Sequence, residues 1–330
     1  PVAVVVASFL GTALIPASGV AAGPASNDPE LGRQWGLEQI GAPAAWARST
    51  GAGIRIGIVD TGIDLAHEDL VGQVAAHTSC IGAQGDPDKC TGSAQDEQGH
   101  GTHVAGIAAA VRGNARGVSG VAPNAELVVV KAIDSTGTGN TTDIVAGIKW
   151  VVDRGAKVVN LSLGDPNFVF TGLTGTPLQE GLDYAWEHGA VPVLASGNTS
   201  LLGLGSSNYG DLDAMVVGAT DPEDRVASYS SPLGNAKWGI LAPGGAGAGA
   251  PDDDIYSTFW KDGASNQYQA LAGTSMATPH VAAAVALLLA KGHTRDSAVA
   301  RLLETAHQQA SCESESCPGR LDVARALAGA

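Results

Sequence analysis

The sequence predicts an α/β protein with a doubly wound, mostly parallel sheet and helices on both faces, giving three layers. Two observations lead to this prediction. Short apolar runs alternate with helix-like segments between about Gln34 and Leu327, as expected of a parallel sheet covered on both sides. The composition is that of a globular protein, with 44% hydrophobic residues, 15% charged residues and 45 glycines that favour close packing and tight turns.

Five apolar runs are the predicted strands, and five helix-like segments accompany them. The strands are Ile54–Val59, Leu127–Ile133, Lys157–Leu163, Ala190–Ala195 and Met215–Ala219. The helices are His100–Val111, Thr141–Arg154, Leu178–His188, Ser275–Ala290 and Thr294–Thr305. We expect Thr141 and Thr294 to cap their helices, with Asp143 and Asp296 in the first turns.

The chain is strongly acidic for its size. Its 330 residues suffice for one large domain or two small ones, and length alone does not decide between them. The 18 basic and 33 acidic residues give a net charge of −15, which repels phosphate backbones and argues against nucleic-acid binding. The same charge would attract cations, or would simply keep an exported protein soluble.

Residues 1–25 are expected to be a secretory leader. An apolar run that begins at Val2 is followed by small residues, which resembles the core and cleavage zone of a signal peptide. No basic segment precedes the run, so we expect the leader to be incomplete at its start. Pro16 interrupts the run too early for a membrane span. We expect cleavage near Ala22 or Ala25, export from the cell, and a single domain over residues 26–330.

The four cysteines form two local pairs, Cys80 with Cys90 and Cys312 with Cys317. An even number in an exported chain indicates disulfides. Four cysteines allow three connectivities, and the short loops favour the two sequential pairings. A zinc site that uses the last pair is the alternative, but the other two ligands it needs are not close in sequence.

Polar residues stand at the ends of three predicted strands. Asp60 follows the first strand, Ser162 lies near the end of the third, and Asn198 comes shortly after the fourth. In doubly wound folds, ligands and reacting groups gather at the carboxyl ends of the strands. We therefore expect one crevice to collect these residues.

Two further motifs carry groups that could react. In QGHGTH, His100 and His103 stand three residues apart, which suits either a pair of metal ligands or one catalytic imidazole beside a structural one. In AGTSMATPH, a glycine-threonine-serine turn leads into an alanine-rich helix, so Ser275 is expected near a helix N-terminus with its hydroxyl exposed. A serine in that place could equally be a simple N-cap.

The order of these groups along the chain helps to decide whether the histidines and the serine are catalytic or structural. Asp60, His100 and Ser275 follow one another in the order of the subtilisin triad. With the motifs IVDTGID, GHGTHVAG, NLSLG, ASGN and GTSMATPH, the chain resembles the subtilisin-type serine peptidases over nearly its whole length after the leader. The resemblance implies a subtilisin-like three-layer α/β/α fold and the hydrolysis of peptide bonds in polypeptide substrates.

The resemblance also implies a role for each group. Ser275 would be the nucleophile, His100 the base that takes and returns its proton, and Asp60 the carboxylate that orients the ring. The side chain of Asn198 would bind the oxyanion together with the backbone N–H of Ser275. His103 would be buried and hydrogen-bonded, in a supporting role.

Substrate contacts follow from the same resemblance. Ser162, Leu163 and Gly164 would pair with an extended peptide through their main chain, and Gly137 and Gly139 would pair with it on the other side. Glycines in such positions are also ordinary turn residues. Pairing of this kind gives affinity, and side-chain pockets give specificity.

Calcium is the expected metal, in a structural role, and the chemistry needs no cofactor. Asp69 and Asn114 fall where subtilisins place two side-chain ligands, and carbonyl oxygens of the Asn114 loop could add more. Glu30 or Asp28 could supply a further ligand from the N-terminal arm.

Two other functions fit parts of the pattern. One is a catalytically silent peptide-binding module on the same scaffold, and the other is a metal-dependent hydrolase that uses His100 and His103. The intact set of Asp60, Ser275 and Asn198 argues against both. We expect a secreted, monomeric serine endopeptidase.

Overall fold

The structure, a computed structural model, describes residues 26–163, 177–198, 209, 211–247, 249–308 and 318–329. The strands in these residues are β1 (Arg55–Asp60), β2 (Val74–Ser79), β3 (Glu126–Lys131), β4 (Val158–Leu161), β5 (Val191–Ala195), β6 (Met215–Thr220), β7 (Trp238–Pro243), β8 (Ile255–Lys261) and β9 (Ala264–Leu271). The first seven form one parallel sheet in the order β2-β3-β1-β4-β5-β6-β7, and β8 and β9 form an antiparallel hairpin. The predicted doubly wound α/β sheet is confirmed.

The described residues also contain eight α-helices. They are α1 (Trp35–Gln39), α2 (Ala42–Ala45), α3 (His100–Ala109), α4 (Thr141–Asp153), α5 (Pro177–Glu187), α6 (Thr274–Leu289), α7 (Arg295–Thr305) and α8 (Val323–Ala326). All five predicted helices are present, with ends that differ from the prediction by at most two residues.

Neighbouring residues of each central strand face opposite helix layers. In β1, Ile58 belongs to the apolar cluster that includes α3, α6 and α7, whereas Val59 belongs to the cluster that includes α4 and α5. Side chains alternate across a strand, so a sheet covered on both faces needs apolar residues at every position. Every residue of β4, β5 and β6 is buried, which explains why these strands are continuous apolar runs in the sequence.

One of the two predicted helix caps is present. The side chain of Thr294 accepts a hydrogen bond from the backbone N–H of Ser297, as predicted. Thr141 does not cap α4, because it is itself the first helical residue and the preceding Asn140 makes no side-chain cap. The prediction placed this boundary one residue too late.

The disulfide between Cys80 and Cys90 is confirmed. Two backbone N–H groups of the loop that it closes donate to the carboxylate of Asp143, at 2.8 and 2.9 Å. Because Asp143 lies in the first turn of α4, the bonded loop is fixed to the start of that helix. Cys312 and Cys317 lie outside the described residues.

The last described segment is bound to both the sheet and the N-terminal helices. The N–H of Leu321 donates to the carbonyl of Leu241 in β7 at 2.8 Å, and the N–H of Val323 donates to the carbonyl of Ile40 at 2.8 Å. None of the helices in the described ranges is both long enough and apolar enough to cross a membrane.

Candidate active site

Asp60 ends β1 at the carboxyl edge of the sheet, next to the point where the strand order reverses between β1 and β4. Its carboxylate is fully buried. Oδ1 accepts from the N–H of Thr61 at 2.7 Å and from Nδ1 of His100 at 2.7 Å. Oδ2 is buried and has no hydrogen-bond partner among the described residues, so the negative charge is weakly compensated and favours a positive neighbour.

His100 is the first residue of α3. Gly99, which precedes it, has a φ of 105°, a left-handed conformation that favours glycine and turns the chain into the helix. Burial of the ring disfavours its charged form, but the adjacent Asp60 carboxylate more than offsets this and raises the pKa of His100 above its usual 6.5. Because Nδ1 donates to Asp60, Nε2 is the ring nitrogen that keeps a free lone pair.

Asp96, four residues before His100, was missed by the sequence analysis. Its buried carboxylate accepts from the backbone N–H groups of Gln98, Gly99 and Thr102 and from the hydroxyl of Thr102. Burial opposes its charge, but these hydrogen bonds lower the pKa of Asp96 below its usual 3.8. Asp96 therefore fixes the turn that starts α3. A signal was present, because an acidic residue just before a helix commonly binds its free N–H groups.

Ser275 lies near the N-terminus of α6, as predicted, and is its second residue. The residue is only 6% exposed, so its hydroxyl is less exposed than predicted, and it donates to the carbonyl of Ser162 at 3.1 Å. Pro279 lies four residues later and has no N–H to donate to the Ser275 carbonyl. That carbonyl accepts instead from the hydroxyl of Ser162 at 2.8 Å, which in turn accepts from the side chain of Asn160 at 2.9 Å. The end of β4 is thus bound to the start of α6.

Asn198 follows β5 and approaches the same helix start. Its Oδ1 accepts from the N–H of Thr274 at 2.9 Å and from the Thr274 hydroxyl at 3.0 Å. The oxygen is therefore held by protein, and the amide Nδ2 is the end of the side chain that carries donors. The residue is exposed, so a ligand can reach it.

His100, Ser275 and Asn198 line one open cleft of about 370 Å³. The structure thus brings together groups that the sequence separates by more than 170 residues. A base with a carboxylate behind it, a hydroxyl at a helix N-terminus and an amide donor suit nucleophilic attack on a carbonyl carbon.

The subtilase family model matches residues 51–317, a stretch that contains all of these groups. The chain belongs to the subtilase family. It is a subtilisin-type serine protease that acts on peptide substrates, as predicted.

Individual relatives of this subtilase align over most of its length. Thermitase of Thermoactinomyces vulgaris is 36% identical over 304 residues, which cover 91% of this chain and 98% of thermitase. Subtilisin Savinase of Lederbergia lenta is 40% identical over 260 residues, which cover 78% of this chain and 84% of Savinase. The solved structure of a protease from the bacterium Pseudoalteromonas arctica matches with a TM-score of 0.76 at 30% identity, covering 92% of this chain and 98% of that one.

The predicted substrate segment after β4 lies directly beside Ser275. Ser162 exchanges two hydrogen bonds with Ser275, and the side chain of Leu163 is buried in the core. The main chain of this segment is therefore held firmly next to the cleft. Gly164 lies outside the described residues.

The second predicted substrate segment is a tight turn on the His100 side. Gly137 has a φ of 82°, and the nearest group to its open side is the amide of Gln98, two residues before His100. The backbone of Gly139 pairs with Ile133 in an antiparallel bridge. The turn is thus closed by the protein itself and borders the cleft at Gln98.

His103 contacts the β8–β9 hairpin and has the expected buried, hydrogen-bonded position. Its Nε2 donates to the carbonyls of Ile255 at 3.0 Å and Gln269 at 2.9 Å. Burial lowers the pKa of His103 to about 3, so the ring is neutral. Because Nε2 carries a proton bound to these carbonyls, it cannot act as a metal ligand in this arrangement.

Asp69 and Asn114, the predicted calcium ligands, lie together and contact each other directly. The amide of Asn114 donates to Oδ1 of Asp69 at 2.8 Å, while the N–H of Val118 and the hydroxyl of Tyr268 donate to Oδ2 at 2.8 and 2.9 Å. Both carboxylate oxygens face donors, whereas a cation needs acceptor oxygens turned towards it. The Asn114 oxygen itself accepts from the backbone N–H of Arg116 at 2.9 Å.

The local charge favours a cation at this loop. Asp69 is fully buried and Asp28 is 5% exposed, and neither forms an ion pair within the described residues. Asp28 accepts from the N–H groups of Gly113 and Asn114, so both carboxylates hold the same loop. The hydrogen bonds offset part of the cost of burying these two charges, and a cation would offset more of it. Within the described ranges, no three His, Cys, Asp or Glu side chains are clustered to hold a metal, so Asn114 and loop carbonyls would have to complete the set.

Proposed function

We propose that this subtilase is an exported serine endopeptidase that cleaves peptide bonds through an acyl-enzyme on Ser275. The observation that carries the proposal is the 2.7 Å hydrogen bond between Nδ1 of His100 and Oδ1 of Asp60, beside the cleft that contains Ser275. It supports assigning His100 as the base, because the bond fixes the tautomer in which Nε2 can accept a proton.

The reaction begins when the Ser275 hydroxyl changes its hydrogen-bond acceptor. At rest it donates to the Ser162 carbonyl, and rotation about the Cα–Cβ bond directs it to Nε2 of His100. His100 takes the proton as Ser275 attacks the substrate carbonyl, and then gives it to the leaving amine. Water then attacks the acyl carbon while its proton passes to the same ring, the C–O bond to Ser275 breaks, and the ring returns the proton to the serine oxygen.

Asn198 and the backbone of Ser275 bind the oxyanion in this proposal. The Asn198 oxygen is held by Thr274, which orients Nδ2 as the donor. Ser275 is the second residue of α6, so its N–H has no acceptor within the helix. Two donors fixed before the reaction stabilise developing charge without the cost of reorganisation.

Labelling with a fluorophosphonate probe tests the proposal. The probe should attach covalently to Ser275 in the folded protein, and Ser275→Ala should abolish both labelling and peptidase activity. Peptide binding without labelling would instead support a silent binding module. Activity that survives Ser275→Ala and disappears with a zinc chelator would support a metal-dependent hydrolase.

Export, domain organisation and oligomeric state are part of the same proposal. Residues 1–25 would be the leader, and residues 26–330 one catalytic domain that acts as a monomer. The Cys80–Cys90 disulfide supports export, because such bonds persist in oxidising compartments. The hydrogen bonds of Leu321 and Val323 to distant parts of the chain support one domain.

Calcium binding at Asp69 and Asn114 also remains a proposal. It is supported by the buried carboxylates of Asp28 and Asp69, which hold one loop and form no ion pair with any residue that the structure describes. The ion would neutralise these charges and stabilise the loop, and it would take no part in the chemistry.

A further inference from the structure

Asn160 is a polar residue in β4, a strand that is otherwise apolar, and it is fully buried. Val158 belongs to the apolar cluster that includes α6, whereas Val159 and Leu161 belong to the cluster on the other side of the sheet. Because side chains alternate across a strand, Asn160 points into the layer that contains α6. An amide buried among apolar groups needs hydrogen-bond partners to offset the cost of burial.

Only half of the Asn160 amide is hydrogen-bonded. Nδ2 donates to the hydroxyl oxygen of Ser162 at 2.9 Å. Oδ1 is buried and has no hydrogen-bond partner among the residues that the structure describes. A buried carbonyl without a partner lowers the stability of a fold, and a leucine of similar size would not carry this cost. Stability therefore does not account for the asparagine, and the N–H donor to Ser162 is what this residue supplies.

The hydrogen bond from Asn160 sets the direction of the Ser162 hydroxyl. An amide N–H can only donate, so the Ser162 oxygen must be its acceptor. The single proton of that hydroxyl is then directed to the backbone carbonyl of Ser275, at 2.8 Å. A chain of hydrogen bonds with one direction thus runs from β4, the middle strand of the sheet, to the second residue of α6.

The Ser275 carbonyl depends on this donor because of the residue four positions later. In a regular helix a carbonyl accepts from the N–H of residue i+4, but Pro279 has no N–H. The nearby hydroxyl of Thr278 donates to the carbonyl of Thr274 instead, at 2.8 Å. Loss of the Ser162 hydroxyl would therefore remove the hydrogen bond that replaces the missing helical one.

The bond from the Ser162 hydroxyl matters most while Ser275 reacts. At rest two hydrogen bonds join these residues, since the Ser275 hydroxyl also donates to the Ser162 carbonyl at 3.1 Å. The second of these bonds must break when the Ser275 hydroxyl turns to His100. From then on, the bond from the Ser162 hydroxyl still joins the two residues, and it holds the main chain that carries the nucleophile.

From these contacts we infer that Asn160 is a positioning residue for the nucleophile. By orienting the Ser162 hydroxyl, it holds the main chain of Ser275 in place during the reaction. The inference rests on the proposed function, because it requires Ser275 to be the nucleophile. Asn160 is fully buried and does not touch the substrate, so its loss should slow the chemical steps and leave substrate binding unchanged.

Asn160→Leu tests the inference, with kcat expressed per active site. A fluorophosphonate that attaches to Ser275 counts the active sites, so a loss of folded enzyme does not affect the result. We expect kcat on a peptide substrate to fall by about 5-fold, the effect of one neutral hydrogen bond, while KM stays within about 2-fold. The melting temperature should change by less than about 3 °C, because the unpartnered carbonyl is removed together with the hydrogen bond.

Asn160→Ala is the second variant and fits the site without strain. It should show the same changes in kcat and KM as Asn160→Leu, because both remove the donor to Ser162. A merely structural asparagine would behave differently, since its loss would lower the melting temperature and leave kcat per active site unchanged.

A double variant tests whether Asn160 acts through Ser162. Ser162→Ala removes the hydroxyl itself and should lower kcat by about 10-fold, since the Ser275 carbonyl is left without this donor. Adding Asn160→Leu to Ser162→Ala should lower kcat no further, because the group through which Asn160 acts is already missing.

Ser49→Ala is the matched control. Ser49 is buried, and its hydroxyl donates at 2.8 Å to the carbonyl of Leu287, near the other end of α6. The variant therefore loses the same type of hydrogen bond to the same helix, far from Ser275. It should lower the melting temperature and leave kcat per active site unchanged.

The opposite results separate the inference from the proposed function. An unchanged kcat per active site in both Asn160 variants, or a loss in the double variant equal to the product of the two single losses, would overturn the inference and leave the proposed function intact. Failure of both Asn160 variants to fold would also overturn the inference, since the residue would then be structural. Absence of labelling at Ser275 in the unaltered protein would overturn the proposed function, and the inference with it.

Discussion

The side-chain oxygen of Asn198 accepts two hydrogen bonds from Thr274, one from the backbone N–H at 2.9 Å and one from the hydroxyl at 3.0 Å. Asn198 follows β5, and Thr274 begins α6, so the pair joins the sheet edge to the helix that carries Ser275. With its oxygen held twice, the amide has one orientation, and its N–H groups are the part that can bind a ligand.

Asn198→Ala should lower kcat by about 10²–10³ and change KM little, because the donor acts on charge that develops in the transition state. This range was measured for an oxyanion-hole asparagine in subtilisin itself. Steady-state kinetics on a peptide substrate measure the effect. An unchanged kcat would remove Asn198 from the oxyanion site.

Thr274→Val should lower kcat by about 5-fold, since it removes one neutral hydrogen bond that orients Asn198 and keeps the other. In an Asn198→Ala background the same change should add little, because Thr274 would act through the missing amide. Additive losses in the double variant would mean that Thr274 affects catalysis by another route.

The pH dependence should be set by His100 and Asp60. Burial opposes the charged ring, but Asp60 and, to a smaller extent, Asp96 raise the pKa of His100 above its usual 6.5. A base must be unprotonated, so kcat/KM should rise with pH through a limb whose midpoint lies above 6.5. Asp60→Asn should move this midpoint to lower pH and reduce kcat by about 10⁴, since an amide does not hold the catalytic tautomer.

Asp183→Asn on α5 is the control for this measurement, because it removes a carboxylate in the opposite helix layer. Asp183→Asn should leave the midpoint of the rise of kcat/KM with pH unchanged. An Asp60→Asn enzyme with the same acidic limb as the unaltered protein would contradict the role assigned to the pair.

His100 and His103 should respond differently to substitution. His100→Ala should lower kcat by about 10⁶, the size found for the triad histidine of subtilisin. His103→Ala should lower the free energy of unfolding by about 2–4 kcal/mol, because it opens a cavity and leaves the Ile255 and Gln269 carbonyls without their donor. Urea unfolding and kinetics on both variants separate the two effects. A larger kcat loss in His103→Ala than in His100→Ala would reverse the assignment.

Acid should destabilise the fold through the buried histidines. Burial lowers the pKa of His103 to about 3 and that of His280 to about 4, against 6.5 for an unperturbed ring. As the pH falls below 6.5 the unfolded chain gains protons that the native state excludes, so the free energy of unfolding decreases by about 1.4 kcal/mol per pH unit for each ring. Urea midpoints below neutral pH measure this slope, and His103→Ala should reduce it by about half. If the free energy of unfolding falls equally steeply with pH in the unaltered protein and in His103→Ala, His103 is charged in the native state.

The sequence was sufficient for the central strands but not for the outer ones. Strands buried on both faces are continuous apolar runs, so β1 and β4 were predictable. At the edge of the sheet, the first four residues of β2 alternate between half-buried and exposed, which gives a weaker signal. Strand β9 is polar and partly exposed, yet the turn between β8 and β9, Asp262 and Gly263 with φ of 52° and 81°, is an Asp-Gly pair that predicts a hairpin.

The candidate site was predictable where residues bear chemistry and unpredictable where they act by position. Asp60, His100 and Ser275 were found from their motifs, and the structure places the first two 2.7 Å apart. Asp96 was not found, because an acidic residue before a helix is a common and unspecific signal, and only its contacts show that it fixes the turn next to His100.

Removal of calcium should lower the melting temperature without changing the chemistry. An ion present at 100 times its Kd stabilises the native state by about 2.7 kcal/mol, which corresponds to a shift of about 4 °C for a domain of this size. Differential scanning calorimetry in excess calcium and in excess EGTA measures the shift.

Asn114→Ala should remove most of this shift in melting temperature, because the amide oxygen is needed to complete the ligand set beside Asp69. Asp183→Asn should retain it, since that carboxylate lies in the other helix layer. The same midpoint with and without EGTA in the unaltered protein would mean that Val118, Tyr268 and Asn114 satisfy Asp69 by hydrogen bonds alone.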